Sequence, residues 1–180
     1  MLTNTYFDFN SMKKLRLIFV LSLFTSFSTF AQTTDYKFQS LFVYNIAKLA
    51  KWTPDHEAGD FKIAILGNKQ VAETMSQALT NKKVGAQNIK VEVFNDINDV
   101  SSCHILFVPA TTKVPIEKLT KVVEKNNIML VTERDGWGRK GSAINFIMVD
   151  GKMKFEVNQE AAQKANVKLS NSLTAMGIVL

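Results

Sequence analysis

Apolar residues recur along the chain in two patterns, one with the spacing of a helix face and one typical of strands. Between residues 35 and 52 the spacing predicts a helix, with Asp35 and Pro54 where a helix begins and ends. Further helices are predicted at 71–79, 115–126, 159–165 and from 171 onward, and strands at 61–66, 89–94, 103–108, 128–131, 143–149 and 152–157. Asp150-Gly151 predicts a tight hairpin between the last two strands. The alternation of strands and helices predicts an α/β fold, a mostly parallel sheet with an antiparallel C-terminal hairpin and helices on both faces.

The first 31 residues have the order of a secretory signal. A basic stretch at 13–16 precedes an apolar run at 17–24, and a more polar stretch ends at Ala31. We predict an upstream extension at 1–11, a signal peptide at 12–31 that is cut near Ala31-Gln32, and one α/β domain at 32–180. An uncleaved membrane helix is the alternative, but the apolar run is shorter than the roughly 20 residues that span a bilayer. The mature chain is therefore predicted to be exported and not itself membrane-spanning.

The charge of the chain is mildly positive. Its 22 basic and 16 acidic residues give a net charge of +6, and no basic run exceeds two residues. A nucleic-acid-binding protein concentrates Lys and Arg in a stripe, so this charge pattern argues against nucleic acid as a partner.

Residues 136–141, Gly-Trp-Gly-Arg-Lys-Gly, match the GxGxxG pattern of dinucleotide-binding loops. That fingerprint turns a strand into a helix whose N-terminal amides face the pyrophosphate. Here the glycines lead into a predicted strand, so we interpret the segment as a mobile loop. Trp137, Arg139 and Lys140 are predicted to be exposed there and to contact a partner or ligand, the alternative being an ordinary solvated loop.

Catalytic, cofactor and metal sites are not predicted. His104 follows Cys103, but neighbouring strand residues point to opposite faces, and His56 lies in a polar loop. Ser142 has no assigned histidine or aspartate partner. Cys103 is the single cysteine, so an internal disulfide is excluded and a buried, unreactive thiol is predicted.

Structural roles are predicted for three asparagines and one glycine. Asn45 interrupts the apolar stripe of the first helix, and Asn145 and Asn158 bracket the final hairpin. A buried amide must be hydrogen-bonded, so such side chains can tie loops to a sheet. Gly141, which ends the glycine segment, is placed with them.

Several segments together resemble the YfiR-like family of bacterial periplasmic proteins. The matching segments are Tyr44-Asn45-Ile46-Ala47-Lys48 followed by Trp52, Ile63-Ala64-Ile65-Leu66-Gly67, Cys103-His104-Ile105-Leu106-Phe107-Val108, Gly141-Ser142-Ala143-Ile144-Asn145-Phe146, Lys154-Phe155-Glu156-Val157-Asn158, and Ala161-Ala162 leading into Val167-Lys168-Leu169-Ser170. Their order and approximate spacing hold from about Tyr36 onward. The chain differs from better-known members in having one cysteine rather than several, and in having Ser142 where a second glycine is usual.

The resemblance implies a periplasmic, non-enzymatic regulator. Its best-known relatives repress a membrane-bound diguanylate cyclase by binding the periplasmic part of that enzyme, and related domains are attached to sensor kinases. We therefore expect a homodimer that binds an inner-membrane signalling protein and needs no cofactor. The alternative is a periplasmic small-molecule-binding domain whose ligand lies at the C-terminal ends of the parallel strands.

Overall fold

The computed structural model describes residues 36–53 and 58–180. The predicted extension, the signal peptide and its cleavage site, Asp35, Pro54 and His56 lie outside these residues.

Helices and short strands alternate along the described chain. The helices are α1 (Tyr36–Leu49), α2 (Lys69–Ala78), α3 (Ile116–Lys125), α4 (Gln159–Lys164) and α5 (Asn171–Met176), with a 3₁₀ turn at Ile97–Asp99. The strands are β1 (Ala50–Lys51), β2 (Phe61–Leu66), β3 (Lys83–Val84), β4 (Gln87–Phe94), β5 (Ile105–Val108), β6 (Met129–Thr132), β7 (Ile144–Val149), β8 (Lys152–Val157), β9 (Lys168–Leu169) and β10 (Ile178–Val179).

One sheet organises the fold, with the strand order β10-β8-β7-β6-β5-β2-β4-β3. The five strands from β4 to β7 in this order are mutually parallel, and β8 returns antiparallel beside β7. Asp150 and Gly151 both have positive φ, 51° and 71°, as a two-residue type I′ hairpin requires. The predicted α/β class with a parallel sheet and a C-terminal hairpin is therefore confirmed.

Both faces of the sheet are covered, because alternate residues of each buried strand supply two separate cores. Along β2, Ile63 and Ile65 face the core beneath α1 and α2, whereas Ala64 and Leu66 face the core beneath α3. Strands buried on both faces consist of near-continuous apolar residues, and this is why β5 and β6 have no polar side chain before Thr132.

The shortest strands have no counterpart in the predicted elements. β1 and β9 form a separate antiparallel ribbon, β3 pairs with the start of β4, and β10 pairs in parallel with β8. Each of β1, β3, β9 and β10 has two residues, too few for an alternating pattern to be visible in the sequence.

Candidate functional site

The glycine segment is a closely bonded turn between β6 and β7, not a loose loop. Within it, the amide of Trp137 donates to the carbonyl of Arg134 at 3.1 Å, and the amides of Lys140 and Ser142 donate to the carbonyl of Trp137 at 3.1 and 3.0 Å. The segment leads into strand β7 rather than into a helix. The helix N-terminus that a dinucleotide fingerprint needs is therefore not formed here.

Trp137 is buried, and the prediction that it is exposed was wrong. Its side chain is 8% exposed and belongs to the core beneath α3, and the Arg134 guanidinium lies 4.8 Å from its ring centre. The turn folds back over this side of the sheet. Burying the indole there is more favourable in free energy than exposing it to water. Arg139 and Lys140 are exposed on the same turn.

Asn158 and two glycines hold this turn against the rest of the fold. The Asn158 amide caps α4 by accepting from the Ala161 amide at 2.9 Å, and it donates to the Gly138 carbonyl at 2.8 Å. A Cβ on Gly138 would lie 2.5 Å from a carboxylate oxygen of Glu156, so any side chain there must displace that carboxylate. Gly141 has a φ of +109°, and a Cβ there would meet Thr120.

Asn145 is the centre of a buried polar network beside the turn. Its side chain is fully buried; its Oδ1 accepts from the Thr132 hydroxyl at 2.6 Å and from the Arg134 amide at 3.1 Å. Its Nδ2 donates to the Arg134 carbonyl and to Glu156 Oε2, both at 2.8 Å. The amide thus joins the end of β6, the start of the turn and β8.

Ser142 belongs to the same network and has no arrangement for nucleophilic catalysis. Its hydroxyl oxygen is fully buried, 2.9 Å from that of Thr132 and 2.7 Å from the Ile144 carbonyl oxygen. A serine nucleophile needs a hydrogen-bonded base and room for a substrate, and here the partners are a hydroxyl and backbone carbonyls.

Cys103 and His104 are packed on opposite sides of the sheet. Burial raises the pKa of the Cys103 thiol to about 12, so the nucleophilic thiolate is scarce at neutral pH. The His104 ring stacks on Phe61 with centroids 4.2 Å apart, and its Nδ1 accepts from the Lys62 amide at 3.0 Å. Among residues 36–53 and 58–180, no three His, Cys, Asp or Glu side chains are grouped as metal ligands.

Glu133, at the C-terminal end of β6, joins elements that are distant in the sequence, and the sequence patterns did not reveal it. Its carboxylate accepts from the Tyr36 hydroxyl at 2.7 Å, from Gln39 Nε2 at 2.9 Å and from the Ala110 amide at 2.6 Å. Gln39 is 2% exposed, and its Oε1 has no hydrogen-bond partner within residues 36–53 and 58–180. An acidic residue directly after a buried parallel strand is the one signal that could have indicated this cluster.

The same edge of the sheet contains the point where the strand order reverses. From β2 the chain forms β4 on one side and then β5 on the other, so the C-terminal ends of β2 and β5 lie at the topological switch point of the sheet. Asn68 caps α2 there through the Val71 amide, and the Thr112 hydroxyl donates to the Leu66 carbonyl at 3.1 Å. Ligands of open α/β sheets bind at such a position.

The first helix turns a different face to the sheet from the one its apolar residues suggest. Val43, Ile46 and Ala47 are buried, whereas Phe38 and Leu41 are 48% and 38% exposed. Asn45 is exposed as well, so its predicted role as a buried, hydrogen-bonded amide was wrong. The face that contains Val43, Ile46 and Ala47 packs into the core against the sheet, so Asn45 points away from it.

A groove of about 230 Å³ lies between α1, β8 and α5. It is lined mainly by apolar side chains, namely Phe42, Ile46, Leu49, Phe155, Leu173 and Met176, with Asn45 and Lys48. Met176 is 59% exposed at its rim. No helix among the described residues is long and apolar enough to cross a membrane.

A comparison with known families shows which family the chain belongs to. No curated protein matches it. Residues 36–177 match the family described as YfiR/HmsC-like, which covers almost all of the described fold from α1 to the end of α5. The resemblance seen in the sequence segments is confirmed. The chain belongs to the YfiR/HmsC-like family.

Proposed function

We propose that this protein is a non-enzymatic periplasmic regulator that binds and represses the periplasmic part of an inner-membrane signalling protein such as a diguanylate cyclase. The family match over residues 36–177 is the observation that carries this proposal. Export would follow from the predicted signal peptide at 12–31. In this function the protein acts by binding alone and needs no cofactor.

The proposed contact surface is centred on Arg139 and Lys140. Both side chains are exposed on a turn whose backbone is fixed by its own hydrogen bonds and by the buried Trp137. A turn held in one conformation loses little entropy on binding, and paired cations favour an acidic partner surface.

Apolar surface lies next to these two cations. A Cβ on Gly138 would be 2.7 Å from the Leu180 side chain, so the turn lies against the residues that follow α5. Ile178 and Val179 are 42% and 51% exposed there. Apolar side chains beside a basic rim are the composition expected of a protein-binding surface.

Repression sets the energy that such a surface must supply. Moving a target from 1:99 to 99:1 in favour of its inactive state requires about 5.5 kcal/mol of preferential binding to that state. Two exposed cations supply only part of this, so the apolar neighbours Ile178 and Val179 must contribute as well.

The test replaces Arg139 and Lys140 together with alanine and measures intracellular cyclic-di-GMP. Deletion of the gene should raise the second messenger, the wild-type gene should restore repression, and the double variant should fail to restore it. Lys152→Ala with Lys154→Ala is the matched control, because it removes two exposed positive charges from the β7–β8 hairpin. Unchanged cyclic-di-GMP and kinase output after deletion would contradict the regulatory function. Full repression by the Arg139 and Lys140 variant would contradict only this surface.

Small-molecule binding at the C-terminal ends of the parallel strands is the second candidate function. Gln39 Oε1, which finds no donor in the described part of the chain and lies beside the Glu133 carboxylate, favours it. A buried acceptor without a donor is costly, and a ligand amine would satisfy both groups. Calorimetric titration with small amines and amides tests it. Binding that Gln39→Leu abolishes, together with loss of solute uptake or sensing on gene deletion, would support this function instead.

A further inference from the structure

The groove between α1, β8 and α5 is an apolar site separate from the Glu133 cluster. That cluster contacts the start of α1 through Tyr36 and Gln39, whereas the groove is lined by residues from the second half of this helix. Met176 is 59% exposed at the rim, although a methionine side chain is more stable out of water. An exposed apolar side chain at a concave surface is typical of a binding site, and methionine adapts its shape to a ligand.

The volume of the groove, about 230 Å³, limits what it can hold. Sites for drug-sized molecules have about 300–1,000 Å³, so this groove suits a smaller ligand than a phospholipid with its two acyl chains. A methylene group is close in size to a water molecule, whose share of the liquid volume is about 30 Å³. The groove therefore has room for roughly eight methylene groups, which is a single short acyl chain.

Lysines lie at the end of the groove where α1 meets the β1–β9 ribbon. Lys48 lines the groove, and Lys51 and Lys168 are directly opposite each other in the ribbon. The ribbon begins next to Leu49, another lining residue, whose carbonyl accepts from the Ser170 amide at 3.0 Å. Lys51 is two positions beyond Leu49, about 7 Å along a strand, which is within reach of the flexible four-carbon stem of lysine.

Backbone pairing holds the two ribbon lysines together against their own repulsion. The neighbouring pair, Ala50 and Leu169, is buried, so the two lysines point to the opposite, exposed face. Like charges directly opposite each other destabilise a strand pair. None of the ion pairs within residues 36–53 and 58–180 includes Lys48, Lys51 or Lys168, and none of the described residues that line the groove is acidic. A bound anion would therefore relieve the repulsion.

The C-terminal end of α1 opposes an anion only weakly. The carbonyl groups at such an end amount to about half a negative elementary charge when they have no partners. Two of them are bonded here, because Trp52 Nε1 donates to the Ala47 carbonyl at 3.0 Å and the Ser170 amide donates to the Leu49 carbonyl. The positive charge of the three lysines is therefore the larger effect.

We propose that the groove binds a single-chain fatty acid of about eight to ten carbons, with the acyl chain against the apolar walls and the carboxylate at Lys48, Lys51 and Lys168. The volume sets the chain length, and the lysines set the sign of the head group. The Lys48 ammonium lies 5.3 Å from the centre of the Tyr44 ring, and a cation–π contact leaves the positive charge in place for an anion. This binding follows from the groove and its lysines alone and does not depend on the proposed regulatory function.

Calorimetric titration of the mature protein with fatty acids of increasing length tests the acyl chain. Each buried methylene contributes about 0.8 kcal/mol, which is about fourfold in affinity. The Kd should therefore fall about 15-fold from hexanoate to octanoate and change little beyond decanoate, when the groove is full. Absence of decanoate binding at millimolar concentration, or a Kd that continues to fall up to tetradecanoate, would overturn the proposal.

Asn45→Trp tests the location of the site. Asn45 is exposed and lines the groove, so an indole there takes the space of the acyl chain. The variant should bind decanoate about tenfold more weakly or not at all, because the chain loses its apolar contacts. Asn45→Ala is the matched control and should stay within about threefold of the wild type, as expected of a change at an exposed position. Wild-type affinity in the tryptophan variant would contradict this site.

Lys51→Ala with Lys168→Ala tests the head group. The loss of two exposed charge contacts should weaken decanoate binding about five- to tenfold. Lys152→Ala with Lys154→Ala, which removes two exposed charges from the β7–β8 hairpin, should bind like the wild type. Decyltrimethylammonium, which has the same chain length and a positive head group, should bind about tenfold more weakly than decanoate. Equal affinity for the two head groups would contradict the proposed role of the lysines.

Two further measurements separate the fatty acid from other occupants of the groove. In sedimentation velocity, a dimer that Asn45→Trp dissociates, without decanoate binding, would mean that a second copy of the chain occupies the groove. Co-sedimentation with phosphatidylglycerol vesicles that the same variant abolishes, without decanoate binding, would assign the groove to a membrane lipid. Either result would overturn the proposal, and decanoate binding with neither result supports it. Far-ultraviolet circular dichroism establishes that every variant is folded.

Discussion

Replacement of Asn145 by alanine tests the network that ties the glycine turn to the sheet. The change removes four hydrogen bonds, to the Thr132 hydroxyl, to the Arg134 amide and carbonyl, and to Glu156 Oε2. A typical intramolecular hydrogen bond contributes about 1 kcal/mol, and a bond to a charged group about 1.5–3 kcal/mol. The Thr132 hydroxyl keeps the Ser142 hydroxyl as a neighbour, so the loss of its bond to Asn145 is partly compensated.

The expected cost is about 3–5 kcal/mol, a large part of the 5–15 kcal/mol that stabilises a typical domain. Urea denaturation followed by circular dichroism measures the free energy of unfolding. Asn88→Ala is the matched control, since Asn88 is an exposed asparagine on strand β4, and its cost should stay within about 0.5 kcal/mol. A loss of less than about 1 kcal/mol for Asn145→Ala would refute the reasoning that these bonds stabilise the fold.

Asn145→Asp extends the same test to pH. The new carboxylate would lie beside Glu156 and the Arg134 carbonyl, which the native amide approaches as a donor. Burial and the negative neighbour should raise the pKa of the new carboxyl above its unfolded value, so the variant is relatively most stable below that value. The stability gap to the wild type should widen as the pH rises through the raised pKa. A gap that is independent of pH would contradict this placement of the amide.

Three further predictions follow from the turn, the thiol and the N-terminus. Gly138→Ala should lower the unfolding free energy by about 1–3 kcal/mol in urea denaturation, because its Cβ would lie 2.5 Å from Glu156; an unchanged value would mean that the turn moves freely. The Cys103 thiol, whose pKa burial raises to about 12, should react with a disulfide reagent at neutral pH only after denaturation, and rapid labelling of the folded protein would contradict its burial. Mature protein purified from the periplasm should begin at or near Gln32 by N-terminal sequencing, and a chain that still carries residues 12–31 would contradict the predicted cleavage.

Local sequence patterns determined the elements of this fold and their class. The buried strands are runs of apolar residues, and the helices have apolar residues three and four positions apart. Backbone geometry sets both patterns within a few residues of the chain. The side-chain caps at Asn158 and Ser170 and the Asp150-Gly151 hairpin act over the same short range, and the structure has all three. These features needed no knowledge of the rest of the chain.

The tertiary structure decided which faces and residues meet. Trp137 is buried because the turn folds over the α3 side of the sheet, and Asn45 is exposed because the sheet packs against the opposite side of α1. Glu133 bonds to Tyr36, 97 positions earlier in the chain, and no local pattern contains that contact. The strand order of the sheet is likewise decided by long-range packing, since a strand's own sequence does not choose its neighbours.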